Sequence, residues 1–111
     1  MGITKVESYS KETLVLAEVF KALGHPARLA IVEYLMKKGK CICGDIVNEL
    51  PLAQASISRH LQALKSAGIL KGQISGTSVC YCLSDEHLYT IETLIHSIKL
   101  SIPKTCCDET V

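Results

Sequence analysis

Apolar residues recur at helical spacing in the first part of the chain, where Leu14, Ala17 or Val19, and Leu23 form a stripe that Val15, Leu16 and Phe20 widen. Ser10 is a candidate N-cap for that helix. Gly24-His25-Pro26 breaks the pattern, and Pro26 suits the first turn of a second helix. Ala30, Ile31, Tyr34 and Leu35 mark its buried face as far as Lys37-Lys38-Gly39. A third, short helix is predicted from about Gly44 to Leu50, with Pro51 as its stop, and a fourth from about Leu52 to Ser66. Ile57, Leu61 and Leu64 are the inner stripe of the fourth, which ends at Ala67-Gly68. Two short strands turning at Ser75-Gly76 follow. Ser84 can then cap a last helix, with Asp85 and Glu86 against the positive end of its dipole, Leu88, Ile91, Leu94 or Ile95, and Ile98 as its stripe, and Pro103 as its stop.

The expected fold is mainly α with a β-hairpin, four helices followed by two strands and a fifth helix, which is a winged helix-turn-helix. Its domain would span 10–102, between a loose arm at 1–9 and a tail at 103–111. A chain of 111 residues is one domain of modest core, so added stability from self-association is expected. The first and last helices carry more apolar surface than one small core uses. Leu14, Leu16, Phe20 and Leu23 with Leu88, Ile91, Ile95 and Ile98 are therefore the expected interface of a homodimer.

Charge sharpens the functional reading. The formal net charge is only +1, yet no acidic residue occurs between Leu50 and Ser84, where Arg59, Lys65 and Lys71 stand unopposed. That stretch can lie against a polyanion without repulsion. On the outer face of the fourth helix Gln54, Ser56, Ser58, Arg59 and Gln62 are side chains suited to base edges and phosphates. Lys65 beside them, and Lys71, Gln73, Ser75, Thr77 and Ser78 on the hairpin, are the phosphate or minor-groove candidates. The apolar runs fall short of the ~20 residues a bilayer span needs, and MGITKVESYSKE is too polar for a signal peptide, so a cytoplasmic protein is expected.

The six cysteines come as three pairs, Cys41/Cys43, Cys80/Cys82 and Cys106/Cys107. None is Cys-x-x-Cys, which argues against a zinc ribbon or a thioredoxin-like site. Close thiols favour soft ions such as As(III), Sb(III), Cd(II), Pb(II) or Cu(I) over hard cations. Cys80 and Cys82 share one face of the second strand, opposite Val79, Tyr81 and Leu83, where they could bind an ion or respond to oxidation, but the expected reading is of small side chains that a wing needs beside DNA. No paired general acid and base or phosphate-binding glycine loop is present, so catalysis, for example as a small thiol-dependent reductase, is the remote alternative.

The stretches LGHPARLAIVEYL, GDIVNEL, SISRHLQALKSAGIL and GTSVCYCL together resemble the ArsR/SmtB family of metal- and thiol-responsive repressors. The resemblance covers about residues 14–100. It implies a homodimeric winged-helix repressor of double-stranded operator DNA, with no required cofactor and with release by an inducer. Gln54, Ser56, Ser58 and Arg59 would face the major groove, and His60 is expected to pack at the helix junction. Cys41-Ile42-Cys43-Gly44-Asp45 is similar to the Cys-x-Cys of arsenic-sensing members, apart from the extra Gly44 and from Val47 where some members have a third cysteine. Cys41 and Cys43 are thus the expected ligands of As(III) or Sb(III), with Cys106 and Cys107 as further donors from the same or the partner chain. In a helix, residues two apart point about 200° apart, so joint ligation is expected to loosen the helix start. A thiol redox or persulfide signal on the same fold is the alternative. Asp85 and His87 match half of the family's last-helix zinc pattern, but Ile98 and Ser101 break the other half, so no zinc site is expected there.

Overall fold

The structure is a computed structural model that describes residues 8–44, 54–76 and 78–105. Helix α1 spans Lys11–Leu23 and begins as its sequence predicts, with the Ser10 hydroxyl accepting a hydrogen bond from the Thr13 amide at 3.1 Å. Helix α2 spans Pro26–Lys38. His25 caps it by accepting the Ala27 amide at Nδ1, 3.0 Å away, and Pro26 occupies the first turn, where a missing N–H costs nothing. Gly39, at φ 67°, ends it in the left-handed conformation and donates to the Leu35 carbonyl.

Helix α3 spans Gln54–Ser66 and is followed by β1, Leu70–Ser75, and β2, Ser78–Leu83. The strands are antiparallel, running in register from Leu70 opposite Leu83 to Ser75 opposite Ser78. The turn therefore centres one residue later than expected, beyond Ser75. Gly68, with φ 79°, makes the tight exit from α3, and a Cβ there would come within 2.8 Å of the His87 ring. Residues 45–50 of the helix predicted at 44–50 lie outside the described residues, as do 1–7 of the arm expected at 1–9 and Thr77. Among the described residues the molecule is mainly helical, four helices with a two-stranded hairpin.

The last helix, α4, spans Leu88–Ser101, starting later than the capping residues suggested. Ser84 stays with the strand, donating its amide to the Ile69 carbonyl, while its hydroxyl accepts the Glu86 amide at 3.2 Å. That local turn consumes the cap, so Asp85 and Glu86 precede α4 instead of occupying its first turn.

One core unites these elements. Val19 and Ala22 of α1, Ile31 and Leu35 of α2, Ile57, Leu61 and Leu64 of α3, and Ile69 and Leu70 at the wing are buried together with Ile42. Leu23, Tyr34, Tyr81 and Ile91 pack half-buried against it. No helix among the described residues is long and apolar enough to cross a membrane.

Candidate nucleic-acid interface and thiol site

Helix α3 owes its position to Ile57, Leu61 and Leu64, which turn one face inward and thereby present Ser58, Arg59 and Gln62 to solvent. Gln62 donates to the Ser66 hydroxyl at 3.2 Å. Ser56 is half-buried beside them, and Lys65 leans across β1, its Nζ 3.3 Å from where a Cβ on Gly72 would stand. On the wing Lys71, Gln73 and Ser78 are exposed. Gln54 opens α3, Ser75 closes β1, and Thr77 lies outside the described residues. Ser58, Arg59 and Gln62 thus share the solvent face of α3, and Lys71, Gln73 and Ser78 stand exposed on the adjoining hairpin. Ile74, 81 % exposed near the wing tip, has no polar character by which a sequence reading would single it out.

His60 sits at the junction of helices. Arg28 of α2 donates from Nε to its Nδ1 at 3.2 Å and from Nη1 to the Ala22 carbonyl at 3.3 Å, tying three helices together. The His25 ring lies 4.5 Å from the His60 ring, centroid to centroid. Burial, reinforced by His25, Arg28 and Arg59, lowers the His60 pKa below its ordinary value. A neutral imidazole also keeps Nδ1 free to accept from Arg28. Arg28 itself was missing from the expected site; its place in the stretch LGHPARL gave no spacing signal toward His60, 32 residues away.

The thiols depart most from expectation. Residues 41–43 are extended: Ile42 and Tyr81 exchange both backbone hydrogen bonds, Ile42 N–H to Tyr81 O at 3.0 Å and Tyr81 N–H to Ile42 O at 2.7 Å. Cys41 therefore stands directly opposite Cys82, and Cys43 opposite Cys80, in the two close positions that flank a hydrogen-bonded pair, where Cα atoms approach to ~4.5 Å. Their Cα separations are 4.3 and 3.9 Å, and both pairs are closed as disulfides. Residues two apart in an extended segment share a face, so Cys41 and Cys43 point the same way without any loosening of a helix. This corrects the expectation of a ligand pair on a helix start, and the favoured reading of the wing cysteines as small side chains, since both are joined to Cys41 and Cys43. Ile42 and Tyr81 turn to the core, leaving the four sulfurs on the opposite face of the wing. Lys71 is opposite Cys82 and Gln73 opposite Cys80 in the β1–β2 ladder, which places both on that same face, with Gln73 Oε1 3.9 Å from the Cys82 sulfur. A usable signal was present in the sequence: two Cys-x-Cys units of period 2, each enclosing a core-type residue, Ile42 and Tyr81. Cys106 and Cys107 lie outside the described residues.

The donor chemistry suits a soft ion once the thiols are reduced, since four sulfurs occupy one face. With these four sulfurs paired as disulfides, no group of three or more His, Cys, Asp or Glu side chains among the described residues is arranged for a metal. At the other end of the molecule, α4 buries no residue completely; Leu88, Ile95 and Ile98 are exposed, whereas Ile91 leans on the core. In α1, Phe20 is exposed, Leu14 and Leu16 are half-buried, and Leu23 packs against the core.

A polar-faced helix held against a two-stranded wing, with basic side chains on both, defines a winged helix-turn-helix DNA-binding protein. Residues 25–71 match the family of bacterial regulatory proteins described as the arsR family. A helix-turn-helix transcriptional regulator of Methanocaldococcus jannaschii is 39 % identical over 94 residues, which is 84 % of this chain and 100 % of that protein. A cadmium resistance transcriptional regulatory protein CadC homolog of Staphylococcus aureus is 40 % identical over 74 residues, 66 % of this chain but only 60 % of that protein's length. An ArsR-like transcriptional regulator from Rhodococcus shares the fold at a TM-score of 0.71 and 23 % identity, over 82 % of this chain and 85 % of that one. The chain belongs to the ArsR/SmtB family of transcriptional regulators, which bind operator DNA and are not enzymes.

Proposed function

We propose that this chain is a homodimeric repressor that leaves its operator when a thiophilic metal or metalloid ion, As(III) or Cd(II) in type, binds the thiolates of Cys41 and Cys43. The single observation that carries the reading is the Ile42–Tyr81 pair, which links the segment bearing those thiols to the wing by two backbone hydrogen bonds. Chemistry at Cys41 and Cys43 is thereby mechanically connected to an element expected to touch DNA. Gln54, Ser56, Ser58 and Arg59 would read base edges, while Lys65, Lys71, Gln73, Ser75 and Thr77 would contact the backbone. The exposed apolar side chains of α1 and α4 support a dimer that spaces two recognition helices for a two-fold operator.

Release requires a differential affinity. Moving the population from 1:99 to 99:1 takes a preference of ~5.5 kcal/mol for the released form, which thiolate bonds made only in one arrangement of strand and wing can supply. The test is a salt-controlled gel shift with reduced protein. Cys41→Ser with Cys43→Ser should keep operator affinity and lose the response to arsenite and Cd(II). Arg59→Ala should weaken the operator complex by ~1–3 kcal/mol, about 5- to 150-fold, whereas Lys104→Ala leaves it unchanged. A double cysteine variant that still dissociates on adding either ion would overturn the assignment.

A further inference from the structure

The chemistry at Cys41 and Cys43 extends to the wing. We propose that Cys41, Cys43, Cys80 and Cys82 form one four-sulfur centre that, when reduced, takes a soft divalent cation of the Zn(II) or Cd(II) type as a tetrathiolate, and that closes to two cross-strand disulfides when a hydroperoxide oxidises it. The proposal deepens the ion-responsive reading above and rests on it for the consequence at DNA, though not for the chemistry of the centre.

Three observations carry it. First, the ladder leaves no freedom of partner: Cys41 faces Cys82 and Cys43 faces Cys80 on either side of one hydrogen-bonded residue pair, so each thiol of one unit has a single opposite number. Second, all four lie on one face, and four thiolates without a carboxylate among them are a donor set for a tetrahedral d10 cation more than for a three-coordinate metalloid. Third, burial is unequal. Cys80 and Cys82 are only 5 % and 6 % exposed, while Cys41 and Cys43 are open to solvent. A groove lined by Leu35, Met36, Gly39, Lys40, Cys41 and Cys82 runs up to one of the two pairs. Ion or oxidant would enter past the exposed Cys41 and Cys43 and be held by the wing.

Both states balance. Binding of the cation displaces four thiol protons and leaves a centre of net charge −2. Oxidation by two molecules of hydroperoxide removes four electrons from the four thiolates and forms the two S–S bonds. Each O–O bond breaks to give, with protons from solvent, two hydroxyl products, and the cation leaves. The two states therefore exclude one another, and they differ in charge on the face that carries Lys71 and Gln73. A dianionic centre beside Lys71 opposes the approach of phosphates, whereas two disulfides add no charge.

The experiment uses the full chain, reduced and then loaded with one equivalent of Cd(II), with iodoacetamide alkylation read by peptide mass mapping. Alkylation of Cys41, Cys43, Cys80 and Cys82 should slow about tenfold or more together, because a metal-bound thiolate is not a free nucleophile. Cd(II)-thiolate charge-transfer absorbance should rise to one equivalent and stop. Adding hydrogen peroxide should abolish that absorbance, release the ion, and give peptides joined Cys41–Cys82 and Cys43–Cys80. Free alkylation of Cys80 and Cys82 in the loaded protein, or disulfides joining Cys41 to Cys43 or either to the tail, would overturn the proposal. Protection of all four with unaltered operator affinity in a parallel gel shift would leave the centre standing and overturn the release reading instead. No step depends on a variant that might fail to fold.

Discussion

Helices α3 and α4 are nearly equal in length, 13 and 14 residues, and both carry a regular apolar stripe, yet they use it in opposite ways. In α3, Ile57 and Leu64 are fully buried and Leu61 nearly so, and the opposite face is polar. In α4 no residue is fully buried, and Leu88, Ile95, Ile98 and Leu100 are 52 %, 47 %, 50 % and 73 % exposed. The difference shows that a stripe records the need for a partner without recording who the partner is. For α3 the partner is the rest of the same chain, which also fixes the direction in which Arg59 points. For α4 the protomer supplies little beyond the contact at Ile91. Leaving large aliphatic side chains in water forgoes ~1.5–3 kcal/mol for each that could be fully buried, which is why a second copy is the proposed cover.

The contrast can be broken by substitution, beginning with the largest effect on the folded chain. Leu64→Ala should lower unfolding free energy by ~2–5 kcal/mol in urea titration, because it empties a fully buried position in α3. A loss well below 1 kcal/mol would show that α3 is not anchored by its stripe. Ile95→Asp with Ile98→Asp should change the protomer's own stability by about 1 kcal/mol or less, since both side chains are half exposed already. The same double variant should sediment as a monomer and lose tight operator binding. If it remains dimeric, α4 is not the interface.

The smallest effect sharpens the anchored side of the comparison. The His60 pKa is lowered from its ordinary 6.5, first by burial and then by His25, Arg28 and Arg59. Between its folded value and 6.5 the unfolded chain binds more protons than the folded one, so stability rises with pH across that window. As pH falls below 6.5, wild-type stability should therefore decline, and the loss is complete once pH is below the folded pKa. Protonation at Nδ1 also removes the acceptor that Arg28 uses. Unfolding curves taken from pH 7 to 5 should show a smaller decline in His60→Gln; parallel declines would remove His60 as the cause.

Much of this protein was legible as local pattern. Ser10, Pro26 and Gly39 punctuate α1 and α2 by known backbone chemistry, and the 3.6-residue stripe of Ile57, Leu61 and Leu64 oriented the polar face of α3 before any contact was known. The change of period at Leu70 located the wing, and the same stretches carried the resemblance to the family. What lay beyond reach was long-range pairing. A Cys-x-Cys looks alike on a helix start and on an edge strand, because the one intervening side chain carries no record of which distant backbone will pair with its own. Only the ladder between Ile42 and Tyr81, set by burying both against the core, put Cys41 opposite Cys82 and Cys43 opposite Cys80 across 41 and 37 residues of chain. The late start of α4 has the same origin, since Ser84 could cap a helix or extend the wing, and its hydrogen bond to Ile69 decided for the wing. Side-chain periodicity is written residue by residue, whereas strand register is chosen by the closure of remote hydrogen bonds around a shared core, and the four-sulfur face exists only at that second level.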